Sequence, residues 1–241
     1  MLHTGSRHIK SIWAKDNIFS TGCIWGAENS RSGHLLQKPP GILIFLIKLK
    51  NYPLTTLSQY INSYFGVPHA EIEKIASFFH PTTLAKGEYF LKAGRICDKL
   101  SFHTSGLLRV YAEAGDKEIT QWISYEGYFI TDLAGIIFDK PAKSNIVALA
   151  DCEFYTIDKK DYNNIGQHIQ QWHFLEKLFI ARCFNLLEDR IFNLLSMTAE
   201  QRYKAMQEQH GALFNQVPLQ YLASMMGMTP ETLSRLRRKA L

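Results

Sequence analysis

Cysteine is scarce and scattered in this chain. The four in 241 residues, Cys23, Cys97, Cys152 and Cys183, form no CxxC pair. That excludes the usual zinc and iron–sulfur spacings and a disulfide framework, and it fits a reducing cytoplasm. The nine histidines do not make up a metal spacing either: His168 and His173 are five apart, while His80 and His103 stand alone. Long apolar runs are also missing. The stretch Gly41–Ile47 is apolar but far too short to cross a bilayer. The first residues lack the apolar core and small-residue cleavage site of a secretory signal. There is no phosphate-binding P-loop, no dinucleotide fingerprint, and no local Cys/His or Ser/His/Asp pattern. The expectation is a cytoplasmic protein with no catalytic residues, no metal, no cofactor and no membrane partner.

What the chain does have is an uneven charge. Residues 1–50 carry seven Lys/Arg against two Asp/Glu, residues 51–197 fourteen against seventeen, and residues 198–241 six against three. A basic end on a mildly acidic body is the footprint of a nucleic-acid contact. A solvated basic helix end has the same charge, so charge alone does not decide between them.

The C-terminal residues decide more. Val217 to Leu241 read as two short helices joined by a tight turn. Pro218 suits the first turn of the first helix. Leu219, Leu222, Ala223 and Met226 recur at helical spacing. Gly227 sits where a helix ends in a left-handed residue. Thr229 is placed to cap the second helix, with Pro230 at its first position and Glu231 at its positive end. There Leu233, Leu236 and Ala240 share one face, while Glu231, Ser234, Arg235 and Arg238 share another at i, i+3, i+4 and i+7. A short helix with an apolar back and an Arg/Ser/Glu front is what a major-groove reader needs.

The same residues resemble a family. Ala223-Ser224, Gly227, Thr229, Glu231-Thr232 and Ser234-Arg235, at these spacings, look like the helix-turn-helix of the Crp/Fnr transcription regulators. A second, separate stretch agrees. Between Pro81 and about Asp158, turn signals recur roughly every ten residues, which predicts a compact β sandwich or barrel. Leu84 to Gly94 and Ser105 to Tyr111 resemble the opening of a cyclic-nucleotide-binding β-roll. The expected fold is therefore α+β: a β-roll of the cyclic-nucleotide-binding type, a long central dimerisation helix, and a C-terminal helix-turn-helix domain. The sequence stops at Leu241, where family members usually continue into a wing, so little or no wing is expected.

The expected domains are an N-terminal extension over 1–50, the roll with leading helices over 51–164, the dimerisation helix over 165–197 and the DNA-binding domain over 198–241. The extension mixes Gly, Ser, Asn and His without periodicity and reads as a poorly ordered arm or a mis-assigned start. Residues 54–80 read as helical, with Leu57, Tyr60, Ile61 and Tyr64 on one face and a second helix at 69–79. The run from Ile165 to Leu195 predicts a helix of roughly 30 residues, about 45 Å long. Thr198 and Gln201 form a capping box for the helix that follows.

The resemblance also implies roles. The reading-helix pattern falls on Glu231, Ser234 and Arg235. Arg238 and Lys239 would neutralise phosphates, and Thr229 and Thr232 would bond the DNA backbone. Double-stranded DNA, a second copy of the chain and RNA polymerase are the implied partners, with an unknown small effector. In cyclic-nucleotide binders of this family a Gly-Glu pair and, about ten residues on, an Arg-Ser pair hold the nucleotide. Anchoring on Ile146-Val147-Ala148-Leu149 places Thr131 and Asp132 at the first pair, and Ala142 and Lys143 at the second. Asp132, Lys143 and Ser144 are thus the candidate effector residues. The guanidinium that grips a cyclic phosphate in two places is missing, and lysine does not replace it. The sequence therefore predicts that cyclic AMP is not bound. Two other classes stay open: a regulator answering to another small molecule, and an interaction module whose basic helix meets protein or membrane.

Overall fold

A computed structural model describes residues 57–58, 61 and 69–240, all within one compact unit. The expected extension over 1–50 lies outside these residues, as do Tyr60 and Tyr64. The described chain opens on α1 (His69–Ala76) and continues into eight strands. These are β1 (His80–Leu84), β2 (Tyr89–Leu91), β3 (Lys99–Ser105), β4 (Leu108–Ala114), β5 (Lys117–Ser124), β6 (Phe129–Ile130), β7 (Asn145–Ala148) and β8 (Cys152–Asp158). The short helix α2 (Leu133–Phe138) separates β6 from β7. The strands form two antiparallel four-stranded sheets, ordered β1-β8-β3-β6 and β2-β7-β4-β5. This is the compact sandwich that the turn spacing predicted, in the form of the roll that the resemblance implied.

Two cores flank the first sheet. Phe90, Leu91, Leu108, Ile130, Ile146, Ala148 and Phe154 fill the space inside the roll. On the opposite face, Leu100, Phe102 and Ile157 meet Leu57, Ile61, Ile72 and Ile75 and the helices after the roll. Strand β3 is covered on both sides, which is why four of its central residues are buried in succession. Its inward residues are polar: Ser101 joins a hydroxyl chain with Thr156 (2.7 Å) and Thr82 (2.6 Å from Thr156). Hydrogen bonding of this kind is what makes buried hydroxyls tolerable.

After the roll come α3 (Lys159–Asn164), α4 (Trp172–Ser196), α5 (Ala199–His210), α6 (Leu219–Met225) and α7 (Pro230–Ala240). Here one expectation is corrected. The long helix starts at Trp172, not near Ile165, and has 25 residues, about 37 Å. Residues Ile165–Gln167 form a 3₁₀ turn instead. Tight turns there, His168 N–H to Ile165 O and Trp172 N–H to Ile169 O (both 3.0 Å), let Ile165, Ile169 and Trp172 all enter the same core. The spacing of these three is also that of one helix face, so the apolar pattern alone does not show the break before Trp172.

Helix α4 changes character along its length. Trp172, Leu175 and Phe179 are buried against the roll. Further on, Phe184, Leu187, Ile191, Phe192 and Leu195 are exposed, Leu195 at 82%. Helix α5 opens with the expected capping box: Gln201 N–H donates to the Thr198 hydroxyl (3.3 Å) and Thr198 N–H to Gln201 Oε1 (2.8 Å).

Candidate nucleic-acid interface

The turn between α6 and α7 follows from its residues. Gly227 has φ 64°. Its N–H bonds Ser224 O and the Met228 N–H bonds Ala223 O, both at 3.0 Å. This pair of bonds is the Schellman motif, and its left-handed residue suits glycine. A Cβ on Gly227 would also stand 3.2 Å from Leu194 Cδ2, so the turn lies against the end of α4. Thr229 then caps α7: the Thr232 N–H donates to its hydroxyl (3.2 Å), and Leu233 N–H bonds its carbonyl. Leu222, Ala223 and Leu233 are fully buried and share a core with Tyr203, Met206, Phe214 and Val217. Full burial of a leucine stabilises by about 1.5–3 kcal/mol, so Leu233 fixes which way α7 faces.

The opposite face of α7 is open. Glu231, Arg235, Arg238 and Lys239 are exposed, and Thr232 and Ser234 are half-buried. The sequence-predicted side chains are thus brought to one helix and one side, except that the Thr229 and Thr232 hydroxyls bond each other at 3.2 Å. The backbone N–H of Glu231 and the Thr229 hydroxyl hold the Glu231 carboxyl below the usual carboxylate range. It is an ionised acceptor at neutral pH, exposed on the helix that also carries Arg235 and Arg238.

Residues that the sequence did not point to hold this helix pair in place. Arg202, on α5, donates from Nε to Met226 O (2.8 Å), from one terminal nitrogen to Met197 O (2.6 Å) and Leu194 O (3.4 Å), and from the other to Gly227 O (3.3 Å). Arg190, on α4, donates to Met225 O (3.1 Å) and lies 5.5 Å from the Trp122 ring centre. Helix α6 is also docked on the roll. Thr120 N–H donates to Ser224 Oγ (2.9 Å), and the Arg109 guanidinium stacks 3.7 Å over Tyr221 and 4.3 Å over Tyr111. Arg109 is itself buried, bonded to Thr120 (2.9 Å) and paired with Glu118 (2.6 Å). The Tyr125 hydroxyl meets His210 Nδ1 at 2.6 Å. The contacts that reach α6 and the turn after it span 24 residues or more, so no local pattern could have exposed them.

The candidate effector residues are placed differently. Asp132 caps α2, its carboxylate accepting from the Gly135 N–H at 2.7 Å. The helix end that could meet an anion is thus occupied by the chain's own carboxylate. Gly135 is pressed onto Cys97, where a Cβ would come within 2.6 Å of a backbone nitrogen. Lys143 is exposed, Ala142 is buried, and Ser144 donates to Gln121 Oε1 (3.0 Å). Asp132 and Ser144 have separate partners, and no bond joins Asp132, Lys143 and Ser144 to one another. Among the described residues no group of three His, Cys, Asp or Glu side chains is placed to hold a metal, and no helix is long and apolar enough to cross a membrane.

Comparison with known proteins agrees with this architecture. Residues 81–168 match the cyclic nucleotide-binding domain family. Among solved structures, the c-di-GMP responsive global regulator CLP of Xanthomonas campestris is similar at TM-score 0.56 and 16% identity, over 72% of this chain and 91% of that one. FixK2 from Bradyrhizobium japonicum is similar at 0.56 and 15%, over 67% and 83%. A CooA mutant from Carboxydothermus hydrogenoformans is similar at 0.50 and 20%, over 68% and 77%. No curated protein sequence matches the chain. A cyclic nucleotide-binding domain over residues 81–168, followed by a run of helices, is thus the fold that this chain shares with these solved structures. The matched domain and the shared fold are in keeping with the resemblance to the Crp/Fnr regulators that the sequence motifs carry.

Proposed function

We propose that the chain is a homodimeric, sequence-specific DNA-binding transcription regulator whose helix α7 enters the major groove. The observation that carries this is the two-sided character of α7: Leu233 fully buried behind, Glu231, Arg235 and Arg238 exposed in front. Arg235 donates to guanine O6 and N7, Glu231 accepts from cytosine N4, and Ser234 bonds a base edge or a phosphate. Arg238 and Lys239 neutralise phosphates, and Thr229 and Thr232 border the DNA backbone. The working division is a roll with leading helices over 51–164, a dimerisation segment over 165–197 and a reading domain over 198–241.

The apolar second half of α4 supports the dimer. Phe184, Leu187, Ile191 and Leu194 follow one another at steps of three and four, the spacing of a helix seam. An exposed face of that size marks an interaction site in a well-folded protein. Two copies then read a pseudo-palindrome with half-sites about 34 Å apart. RNA polymerase follows as the partner on which such a regulator acts.

We further infer that the roll does not hold cyclic AMP. Asp132 spends its carboxylate on the cap of α2, the buried Ala142 stands where the arginine of the cyclic-phosphate grip is expected, and Lys143 is a solvated point charge. Calorimetric titration with cyclic AMP and cyclic GMP tests this, and micromolar binding would overturn it. Genome-wide binding-site selection tests the main reading. An enriched pseudo-palindrome, with gel shifts that survive competitor DNA at about 200 mM salt, is the expected result. No enriched motif would leave the basic helix as a protein- or membrane-binding surface.

A further inference from the structure

We infer that Arg190 and Arg202 are positioning residues that set the pose of the reading helix from the long helix α4, by gripping the three consecutive carbonyls of the turn before α7. This rests on the reading of α7 as the DNA-contacting helix. The carbonyls of Met225, Met226 and Gly227 lie at the C-terminal end of α6, where a helix leaves its last acceptors unpaired and carries partial negative charge. Arg190 takes Met225 O, and Arg202 takes Met226 O and Gly227 O. Arg202 at the same time holds Leu194 O and Met197 O, the C-terminal end of α4. One guanidinium therefore spans the ends of two helices.

The chemistry requires arginine. Five donors in a fixed plane serve four carbonyls on Arg202; the three donors of a lysine ammonium have neither the number nor the spread. Arg190 comes from α4 itself and lies by Trp122 of β5, so it ties the turn to helix and roll together. The core of the C-terminal domain orients α7 about its own axis through Leu233. The arginines instead fix the domain against α4, the element that carries the proposed dimer seam. Half-site spacing depends on that relation, because two reading helices meet the groove correctly only if each keeps its pose on its own α4.

The variants Arg202→Lys, Arg202→Gln and the double variant Arg190→Gln/Arg202→Gln test the inference. Fluorescence anisotropy is read on the selected duplex and on a scrambled duplex across a salt series, with sedimentation to follow the dimer. The specific affinity should fall about tenfold or more, the scale of one lost base contact. Affinity for the scrambled duplex and the salt slope should hold, since the phosphate-contacting charges of α7 are intact. Arg202→Lys should show the same loss as Arg202→Gln, because charge without the fork does not restore the grip. An unchanged ratio of specific to scrambled affinity, or a parallel fall on both duplexes, would overturn the inference. A wild-type protein that fails to discriminate between duplexes sinks the DNA reading separately. Hydrogen exchange then decides the grip alone: the Gly227 and Met228 amides should lose protection in the double variant while Leu222 keeps it, and equal protection in both proteins refutes it.

Discussion

Acid should weaken the roll through one residue, His103. It is fully buried in β3, stacked on Phe154 at 4.9 Å between ring centres, with Nδ1 3.3 Å from Ser124 Oγ and Nε2 without a partner. Burial pushes its pKa down from 6.5 to about 4, against a smaller upward pull from a backbone bond with Ser105. A histidine with a lowered folded pKa takes protons more readily when unfolded. Its neutral form supports the fold fully above about pH 6.5, and that support drains away as pH falls towards 4. For one site with these two values the loss between pH 7 and pH 5 is about 2 kcal/mol, from linkage. Urea unfolding at both pH values, for the wild type and His103→Leu, separates this group from the carboxylates common to both. The wild type should lose about 2 kcal/mol more than the variant over that range, by the same linkage. Equal losses would show that His103 does not carry a proton differently in the two states.

Three further outcomes follow from the helices. Gly227→Ala forces a side chain into a left-handed conformation, at a cost of about 1–2 kcal/mol, and presses on Leu194; a thermal melt should show the loss, Gly227→Asn should lose less, and an unshifted alanine variant would refute the turn geometry. Ile191→Glu places a charge on an exposed position of α4 (57%), so sedimentation should show a folded monomer, and a persistent dimer would move the seam elsewhere. Arg235→Ala should lose about 1–3 kcal/mol of specific affinity and relax the preference at one base pair; an equal loss on every duplex in a binding-site panel would make Arg235 a phosphate contact.

The helix pair was legible in the sequence because its determinants are local. Gly227, Thr229, Pro230 and the Leu233 period each act within a turn or two. The same holds for the Thr198–Gln201 capping box. The roll was legible as a class, through its turn spacing, but the sheet orders were not. Pairing β8 with β1 and β3 brings Cys152–Asp158 beside residues more than 45 positions away, and β3, buried on both sides, lacks a clean alternation. The start of the long helix was misjudged because Ile165, Ile169 and Trp172 are apolar at helical spacing, yet they enter one core through tight turns. The arginines that hold the turn gave no signal at all, since their acceptors are backbone carbonyls and carry no residue identity.

The core shared by the roll and the C-terminal helices has a bearing on how such chains diverge. Leu107 and Ile123 of the roll are buried in the same cluster as Leu213, Leu222 and Met226. A chain cut after α4 would expose those two side chains to water, and a reading domain grafted from a relative would have to match them in shape. Exchange of parts between members of such a lineage is therefore constrained by fit at this seam, and heating should melt roll and reading domain in one transition.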